Sequence, residues 1–388
     1  MTQQTEETYY DWNSRSPEVQ EDQIAAYDSM RTRCPVAHDE FMGYTLFKNE
    51  DVRYALEHPE LFSNRVSTRH IAVPNGMDAP EHTAFRAIND KYFTPERMQA
   101  FEPRIREVVH QLVRDIPRGE TVDIMGEFAT RYAMRVQNAF MGWPESLEEA
   151  LIAWMNKNRS ATLKRDRAEI AAVALEFDGY IRALLDERRA NPALQDVTAE
   201  LLHDHVELPG QEPRVMTDEE IVSLIRNWTV GELSTVSAIV GVIVNFLGEN
   251  QGEADRLRQN PEYIGHAVEE ILRLQDPLVA NRRVTTADVE VGGRTIPAGC
   301  PVTINWTSAN RDEDAFEDAL DYRPDRDQSM NLTYGAGIHV CPGAPLARLE
   351  LRILVEELLA ATESITVEST ENAQFPVAGY SSVKVVMR

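Results

Sequence analysis

The spacing of apolar and polar positions predicts a mainly helical chain with strands near its two ends. Helical periodicity dominates from Pro80 to about Gly248 and is interrupted at "FMGWPES", "RANPAL" and "VELPGQEPRVM". The last interruption is rich in proline and glycine and has no clear period, so we expect it to be a linker. Nearer the N-terminus, "YTLFKNEDVRYALEHPELFS" predicts a short strand followed by a helix from about Asn49.

A long central helix is predicted after that linker. Residues Thr217 to Glu220 read TDEE, a capping box with acidic residues in the first turn. The helical pattern continues to about Leu247, which corresponds to roughly 30 residues and about 45 Å. From Trp228 onward the pattern is apolar nearly all round. We therefore expect this helix to pass through the middle of the molecule.

The last third of the chain combines helices, strands and one long loop. A helix is predicted in "PEYIGHAVEEILRLQ", with Pro261 in its first turn, and a small β-meander in "VTTADVEVGGRTIPAGCPVTINW". The loop-like "SANRDEDAFEDALDYRPDRDQSMN" precedes an amphipathic helix, "PLARLELRILVEELLAAT", and two strands, "ESITVES" and "SSVKVVM". We expect one domain over residues 1–388, β-rich at roughly 40–75, 283–306 and 364–388 and helical at roughly 80–277 and 341–362.

The net charge narrows the range of partners. The 388 residues include 39 basic and 64 acidic side chains, and the net charge of -25 argues against nucleic acid or an anionic membrane. The first residues carry no targeting pattern, and the apolar run "SAIVGVIVNFLG" is too short to span a bilayer. Cys34, Cys300 and Cys341 are far apart, which fits neither a disulfide framework nor a zinc site. We expect a reduced, monomeric, cytoplasmic protein.

Cys341 is the residue that points to chemistry. Gly335, Gly337 and Gly343 flank it closely, and glycine lets a backbone adopt positive φ and approach a ligand. A helix N-terminus follows, which stabilises a thiolate. The motif offers no second cysteine or carboxylate, so it cannot close a site with several ligands. A lone thiolate facing a flat cofactor is the arrangement of heme, whereas the structural alternative is a buried cysteine beside a glycine turn.

Further motifs decide between those two readings. "EEILR" supplies Glu270 and Arg273 on one helix face, and "YRPDRD" follows with Arg326. Together with "YGAGIHVCPG", they resemble the signature of the cytochrome P450 family, whose cysteine loop reads Phe-Gly-x-Gly-x-His-x-Cys-x-Gly. "DAPEHTAFR", the central helix, "RRVTTADVEVGGRTIPAG" and "SANRD" also occur in the family's order. The resemblance therefore covers most of the chain.

The resemblance implies a fold and a cofactor site. The fold would be mainly α with a small β-region, the triangular prism of the family with its central helix across the heme. Cys341 would be the axial ligand of heme b, in a loop that includes Tyr334, Gly335 and Gly343. Tyr334 departs from the usual phenylalanine and adds a hydroxyl that needs a partner. Glu270, Arg273 and Arg326 would be structural.

The resemblance also assigns partners for the heme propionates. They would be His82, Arg86, Arg283 and His339, because buried carboxylates need charge-assisted donors. Arg282 is adjacent to Arg283, but the spacing to Asp288 favours Arg283.

The implied activity is insertion of one oxygen atom of O2 into a medium-sized lipophilic or aromatic compound. Electrons would come from ferredoxin and ferredoxin reductase. Because ferredoxins are acidic and this chain carries -25, the docking face should be locally basic, and Arg348 and Arg352 are candidates. Two alternatives stay open: a heme-thiolate enzyme that uses peroxide directly, and a heme-binding sensor without turnover.

By analogy with the family, several segments would line the substrate pocket. They mix apolar groups with polar ones, which suits a compound that has one polar or acidic end. Arg69 would be either a carboxylate clamp or an ordinary surface arginine. The candidate pocket residues are Arg69, His70, Asn227, Trp228, Gly231, Leu233, Val279, Val377 and Tyr380.

The central helix departs from the family at its proton relay, where the usual run is Ala/Gly-Gly-x-Asp/Glu-Thr. Here it reads Gly231-Glu232-Leu233-Ser234-Thr235. Thr235 keeps the alcohol, Ser234 takes the place of the acid, and Glu232 stands where the second glycine usually is. A serine hydroxyl passes protons but lacks an accessible carboxylate pKa. Either Glu232 supplies the missing carboxylate from one turn earlier, or water, Thr235 and Ser234 deliver protons alone.

Overall fold

The computed structural model describes residues 11–67, 72–164, 166–375 and 377–388. Most of them are helical. The α-helices of this part of the chain are α1 Pro17–Glu21, α2 Gln23–Arg33, α3 Asn49–Glu57, α4 Glu81–Asp90, α5 Pro95–Asp115, α6 Thr130–Met141, α7 Glu148–Lys164, α8 Arg167–Ala190, α9 Val197–Leu201, α10 Asp218–Gly231, α11 Ser237–Glu249, α12 Gln251–Gln259, α13 Ile264–Gln275, α14 Trp306–Ala309 and α15 Ala344–Ala361.

Short tight or wide helical turns join some of these helices, and the strands are few and short. Turns of the 3₁₀ type are Glu145–Leu147, Pro261–Tyr263 and Gly337–His339, and π-helical turns are Met125–Ala129 and Glu232–Val236. The strands are β1 Val36–Asp39, β2 Gly43–Leu46, β3 Phe62–Ser63, β4 Thr121–Asp123, β5 His205–Val206, β6 Arg214–Val215, β7 Ala280–Thr285, β8 Val289–Val291, β9 Arg294–Ile296, β10 Pro301–Asn305, β11 Ile365–Asn372 and β12 Tyr380–Met387.

The contacts of the chain fall into two compact units, each built from separate segments. The first unit comprises the described residues of 1–68, 269–340 and 372–378. Its five-stranded sheet has the order β1-β2-β10-β7-β3. Apolar side chains of α3, the sheet and α14 form its main core, which includes Phe62, Ile304 and Trp306. The β-branched and aromatic residues of these short strands suit such a half-buried pleated surface.

The second unit comprises the described residues of 69–268, 341–371 and 379–388. It holds most of the helices and a three-stranded sheet of order β11-β12-β4. Helix α10, the π-helical turn Glu232–Val236 and α11 form one continuous rod, Asp218–Glu249, of 32 residues. Its α11 part is almost wholly buried, because its residues are apolar on every face.

The structure confirms the predicted central helix and its start. The Thr217 side chain accepts from the Glu220 N–H, and the Glu220 carboxylate accepts from the Thr217 N–H, which completes the capping box. By length and composition this helix could cross a membrane, which the short apolar run alone did not suggest. However, 61% of its most apolar window is buried inside the protein, as in the core helix of a soluble protein.

The segment predicted to be a linker carries a small hairpin that its sequence did not indicate. Residues 207–213 form the connection of a small antiparallel hairpin, in which His205 pairs with Val215 and Val206 with Arg214. The hairpin lies wholly within the second unit. Proline and glycine mark a tight chain reversal there rather than a boundary, because the same residues favour turns inside a domain.

Candidate active site

The cysteine loop is shaped by two glycines with positive φ. Gly335 has φ 72° and Gly337 has φ 68°. Residues that carry a side chain rarely adopt such a backbone conformation. A Cβ on Gly337 would also lie 2.3 Å from the backbone oxygen of Leu56. The Gly337 carbonyl accepts from the Val340 N–H at 3.2 Å. These contacts, all within the first unit, fix the path of the chain up to Cys341.

The Cys341 sulfur lies at the N-terminal end of α15, where backbone donors point toward it. Burial raises the pKa of its thiol, but the N–H groups of Gly343 and Ala344 donate to the sulfur and, with the Arg86 guanidinium, act to lower it. Within the described residues no group of three or more His, Cys, Asp or Glu side chains could hold a metal ion. The donor chemistry therefore fits a cofactor iron held by a single thiolate.

Two of the predicted propionate partners lie on α4 in the second unit. His82 is 2% exposed, and burial lowers the pKa of its imidazole, with the nearby Arg86 charge acting in the same direction. A neutral imidazole still offers one N–H donor. Arg86 pairs with Asp90 one turn further on, at 2.5 Å. The helix therefore presents one neutral and one charged donor, four residues apart.

The other two predicted partners lie in the first unit. Arg283 is buried on β7 and donates to the backbone oxygen of Arg282 at 2.9 Å. Arg282 lies instead over the ring of Phe41, with its guanidinium carbon 4.9 Å from the ring centroid. His339 ends the 3₁₀ turn Gly337–His339, and half-buried Tyr334 lies just before that turn.

Glu270 and Arg273 form a buried bidentate ion pair in α13. Both side chains are fully buried, and the two nitrogen–oxygen distances are 2.8 Å. The Glu270 carboxylate also accepts from Arg326 and Gln328, at 3.2 and 3.1 Å. Burial alone would raise the pKa of Glu270, but the Arg273 guanidinium, the Arg323 N–H and the Gln328 amide together outweigh it and hold the pKa below its usual range.

The relay candidates lie on the π-helical turn of the central helix. Glu232 begins this turn, whose extra residue per turn redirects the side chains that follow. The Ser234 hydroxyl donates to the backbone oxygen of Val230 at 2.5 Å. Thr235 is half-buried, Leu233 is buried and Gly231 is exposed.

Sequence reasoning missed one member of this site, Glu350 on α15. Its carboxyl group is buried and hydrogen bonded to the carboxyl group of Glu232. Burial raises the pKa of Glu232 to about 7, against the hydrogen bond from Glu350, which lowers it. Burial and the Glu232 charge raise the pKa of Glu350 well above its usual range. The signal in the sequence was a lone acid among the apolar residues Leu349 and Leu351.

The predicted pocket residues are distributed over several elements. On α10, the Asn227 amide donates to the Val73 oxygen at 2.8 Å. The Trp228 indole donates to Asn89 at 2.6 Å, and its ring stands edge-on to Tyr92 and Phe93. The Asn227 and Trp228 side chains of α10 therefore make hydrogen bonds and ring contacts inside the second unit.

The remaining pocket candidates have separate surroundings. Val279 belongs to a small core of the first unit that includes Tyr27 and Phe47. Val377 is half-buried, and its backbone oxygen accepts from Gln23. The Tyr380 hydroxyl accepts from Asn245 on α11 at 3.0 Å. Arg69 and His70 lie outside the described residues.

The two arginines predicted to dock a redox partner lie one turn apart on α15. Arg348 is exposed. Arg352 is half-buried and pairs with Glu356 at 2.6 Å and with Glu102 on α5 at 3.0 Å. This stretch of α15 therefore carries a mixed charge pattern.

Comparison with known proteins identifies the family. The profile of the cytochrome P450 family matches residues 149–375. Cytochrome P450 109 of Bacillus spizizenii is 32% identical over 87% of this chain and 84% of its own length. The erythromycin C-12 hydroxylase of Saccharopolyspora erythraea is 31% identical over 88% of this chain and 87% of its own length.

Solved structures that resemble this chain belong to the same family. A mutant of P450 EryK in complex with erythromycin B is similar with a TM-score of 0.85 at 28% identity, over 94% of this chain and 96% of its own. This similarity confirms the predicted mainly α fold with a small β-region. The chain belongs to the cytochrome P450 family, and it is a heme-dependent monooxygenase that uses O2, a small organic substrate and a redox partner.

Proposed function

We propose that this monooxygenase hydroxylates, or oxidatively dealkylates, a medium-sized lipophilic or aromatic compound, with heme b (iron protoporphyrin IX) ligated by Cys341. The observation that carries the proposal is that the Cys341 sulfur accepts hydrogen bonds from the Gly343 and Ala344 N–H groups at the start of α15. Bound heme supplies the oxygen activation, which an electron-rich thiolate promotes. The chain's own residues hold the cofactor, orient the substrate and move protons.

The propionate groups of the cofactor are assigned to His82 and Arg86 of α4 and to Arg283 and His339. All four are half-buried or buried, and each is basic or able to donate an N–H, as a desolvated carboxylate requires. Arg86 supports the assignment through its electrostatic effect on Cys341. Tyr334, Gly335 and Gly343 complete the cysteine loop.

The substrate class is proposed from the chemistry of the candidate pocket. Leu233 and Val279 are apolar, while Asn227, His70 and Tyr380 are polar, and Arg69 would serve an acidic end of the substrate. The related erythromycin C-12 hydroxylase is named for the hydroxylation of an organic compound, which supports the reaction type. The site of oxidation depends on which of these groups the substrate contacts.

Electrons are proposed to come from ferredoxin and its reductase, which dock at Arg348 and Arg352. We place the enzyme in the cytoplasm as a monomer that folds as a single domain over residues 1–388. Its net charge of -25 keeps it soluble and disfavours nucleic acid and anionic membranes. The same charge makes a locally basic face necessary for an acidic partner.

Proton delivery is proposed to use Thr235 and Ser234, with Glu232 as the carboxylate. The Ser234 hydroxyl has its proton directed at the Val230 oxygen, which leaves its lone pairs to accept a proton. A carboxyl group with a pKa of about 7 is matched to proton transfer near neutral pH. Glu232 is therefore better suited than water and the two hydroxyls alone.

The ligand assignment is tested by reducing the purified heme-loaded protein under carbon monoxide. We expect the Soret band of thiolate-ligated heme in the wild type and in Cys300→Ser, the matched control at a half-buried cysteine. Cys341→Ser should lose that band. A band at the position of histidine-ligated heme in the wild type would contradict the assignment, and so would unchanged spectra in Cys341→Ser.

Turnover assays separate the monooxygenase from its two alternatives. Product formed with ferredoxin, its reductase and NAD(P)H supports the proposal. Product formed only with added peroxide would favour the peroxide-using enzyme. Heme binding without product under either condition, across compounds that shift the heme spin state, would favour a sensor.

A further inference from the structure

Glu232 and Glu350 form a contact between two carboxyl groups that is enclosed by the protein. Glu232 Oε1 and both carboxyl oxygens of Glu350 are buried, and no N–H or O–H of the described protein residues other than the paired carboxyl groups reaches them. No arginine, lysine or histidine among the described residues forms an ion pair with either glutamate. Within the described part of the chain, these three enclosed oxygens therefore have only the facing carboxyl group as a hydrogen-bond partner.

Two facing carboxyl groups cannot both be ionised, because their charges repel in a medium of low dielectric constant. One of them must carry a proton, and that proton is the only donor available for a hydrogen bond between them. Glu350 is the one that holds it, because Glu350 is 0% exposed with both of its carboxyl oxygens enclosed, whereas Glu232 is half-buried and only its Oε1 is enclosed. Glu232 is then the acceptor.

The other groups around the pair do not supply a second donor. The Tyr132 hydroxyl on α6 donates to the backbone oxygen of Glu350 at 2.9 Å, not to its carboxyl group. Burial, together with the two glutamates, raises the pKa of Tyr132 far above its usual range, so this hydroxyl stays neutral. Among the described residues, Cys341 is a further titratable group affected by Glu232, whose charge acts to raise the pKa of the Cys341 thiol.

We propose that protonated Glu350 is the positioning residue of Glu232: its carboxylic O–H donates to the Glu232 carboxyl and fixes that group on the π-helical turn beside Ser234 and Thr235. The inference rests on the proposed relay, in which Glu232 moves protons. A π-helical turn closes i→i+5 hydrogen bonds and is frequent at functional sites, and at Glu232 it interrupts the regular α-helical spacing. The hydrogen bond from Glu350 on α15 holds the Glu232 carboxyl group in one orientation and joins the two elements.

Infrared spectroscopy of the heme-loaded protein tests the hydrogen bond without turnover. We expect a deuterium-sensitive C=O band of a buried carboxylic acid in the wild type, which persists in Glu232→Gln and disappears in Glu350→Gln and Glu350→Met at high pH. Removing the donor should raise the pH at which Glu232 ionises by more than one unit in Glu350→Met. Glu350→Gln should keep it within half a unit, because its amide still donates.

Kinetics test the positioning role. Product formed per electron pair consumed should fall about tenfold in Glu350→Met and be largely restored in Glu350→Gln. The double variant Glu232→Gln/Glu350→Met should be no worse than Glu232→Gln, because the two residues act as one unit. Glu249→Gln at the exposed end of α11 and Glu357→Gln on α15 are matched controls that should leave both readouts unchanged.

The outcomes distinguish this inference from the proposed relay. No buried carboxylic acid band, or effects of the two substitutions that multiply in the double variant, would overturn the positioning role. A normal band and normal pH shifts together with full coupling in Glu232→Gln would instead overturn the relay. In that case the glutamate pair would remain, without a role in proton delivery.

Discussion

At the scale of single residues, the decisive departure is a carboxylate in place of a glycine. Glu232 is half-buried with its Oε1 enclosed, and an unpaired carboxylate in such surroundings is strongly unfavourable. Two features reduce this cost. Glu350 is hydrogen bonded to Glu232, and the pKa of Glu232 is raised to about 7, so that the group is partly neutral near neutral pH. A residue that costs stability and forms no ion pair with any described cationic side chain is more readily explained by chemistry than by folding.

Glu232→Gln should reduce coupled product formation by about 10²-fold, the range expected for a positioned acid–base group. Substrate affinity should change little, because the amide keeps the shape of the carboxyl group. The measurement is product formed per NAD(P)H consumed, with released peroxide assayed in parallel. Glu249→Gln, on the same helix but exposed, serves as the control, and unchanged product and peroxide in Glu232→Gln would exclude the relay.

The same residue predicts a pH dependence. A carboxyl group whose pKa is raised to about 7 is protonated below that pH and loses its proton above it. If Glu232 supplies protons, the coupling of the wild type should fall as the pH rises through about 7. Glu232→Gln should show low coupling at every pH. A wild-type profile flat between pH 6 and 8 would contradict this assignment; both limits lie roughly one unit from the pKa.

The residue scale also shows what the sequence could not predict. The spacing of Glu232 and Thr235 was visible, because residues three apart on a helix are neighbours. The π-helical turn was not, since it adds one residue to a pattern that otherwise reads as a regular helix. The pairing with Glu350 depends on α15 packing near the central helix, which no local pattern contains.

At the scale of elements, the ion pair of α13 ties a helix to the long irregular segment after α14. Besides Glu270, the Arg273 guanidinium donates to the backbone oxygens of Asn310 and Ala319, at 2.6 and 2.8 Å. Glu270 accepts from the Arg323 N–H at 3.0 Å. A segment with little secondary structure obtains its order from these bonds, because its buried backbone groups need partners.

Glu270→Ala or Arg273→Ala should destabilise the protein by roughly 3–5 kcal/mol, because each leaves a buried charge without its partner. We expect little soluble heme-loaded protein from either variant. The yield of holoprotein and its urea midpoint measure the effect, and Glu262→Ala at an exposed acid gives the baseline. Normal yields from both variants would show that the network is dispensable.

The cysteine loop offers a second test at this scale. Gly337→Ala combines a positive φ with a Cβ placed 2.3 Å from the Leu56 backbone oxygen, so we expect loss of heme binding. Gly293→Ala is the matched control, because Gly293 has φ 75° and open space around its Cβ position. It should cost about 1–2 kcal/mol and retain heme. Equal heme retention in the two variants would mean that the loop can move away from α3.

At the scale of the whole molecule, element order was predictable and the division into units was not. The central helix, α15 and the two C-terminal strands follow from periodicity and capping, which are local properties. The two units are built from distant segments, and long-range contacts of this kind leave no local signature. The unpredicted hairpin around residues 207–213 has the same origin, because turn residues do not reveal whether a turn lies inside or between units.

The net charge of the whole molecule affects how it associates with a charged redox partner. A molecule at -25 repels an acidic ferredoxin unless the contact face is locally positive. Arg348→Glu/Arg352→Glu should therefore slow reduction by ferredoxin at low salt, and added salt should narrow the difference from the wild type. The spin-state titration with substrate should not change.

A second charge reversal controls for the overall change of four units. Lys157→Glu/Arg182→Glu alters two exposed basic residues of α7 and α8 and shifts the net charge equally. It should slow reduction much less than the α15 pair. Arg352 also pairs with Glu102 and Glu356, so an unchanged heme spectrum is needed to show that the fold persists. Equal slowing by both double variants would indicate that ferredoxin responds to net charge and not to this face of α15.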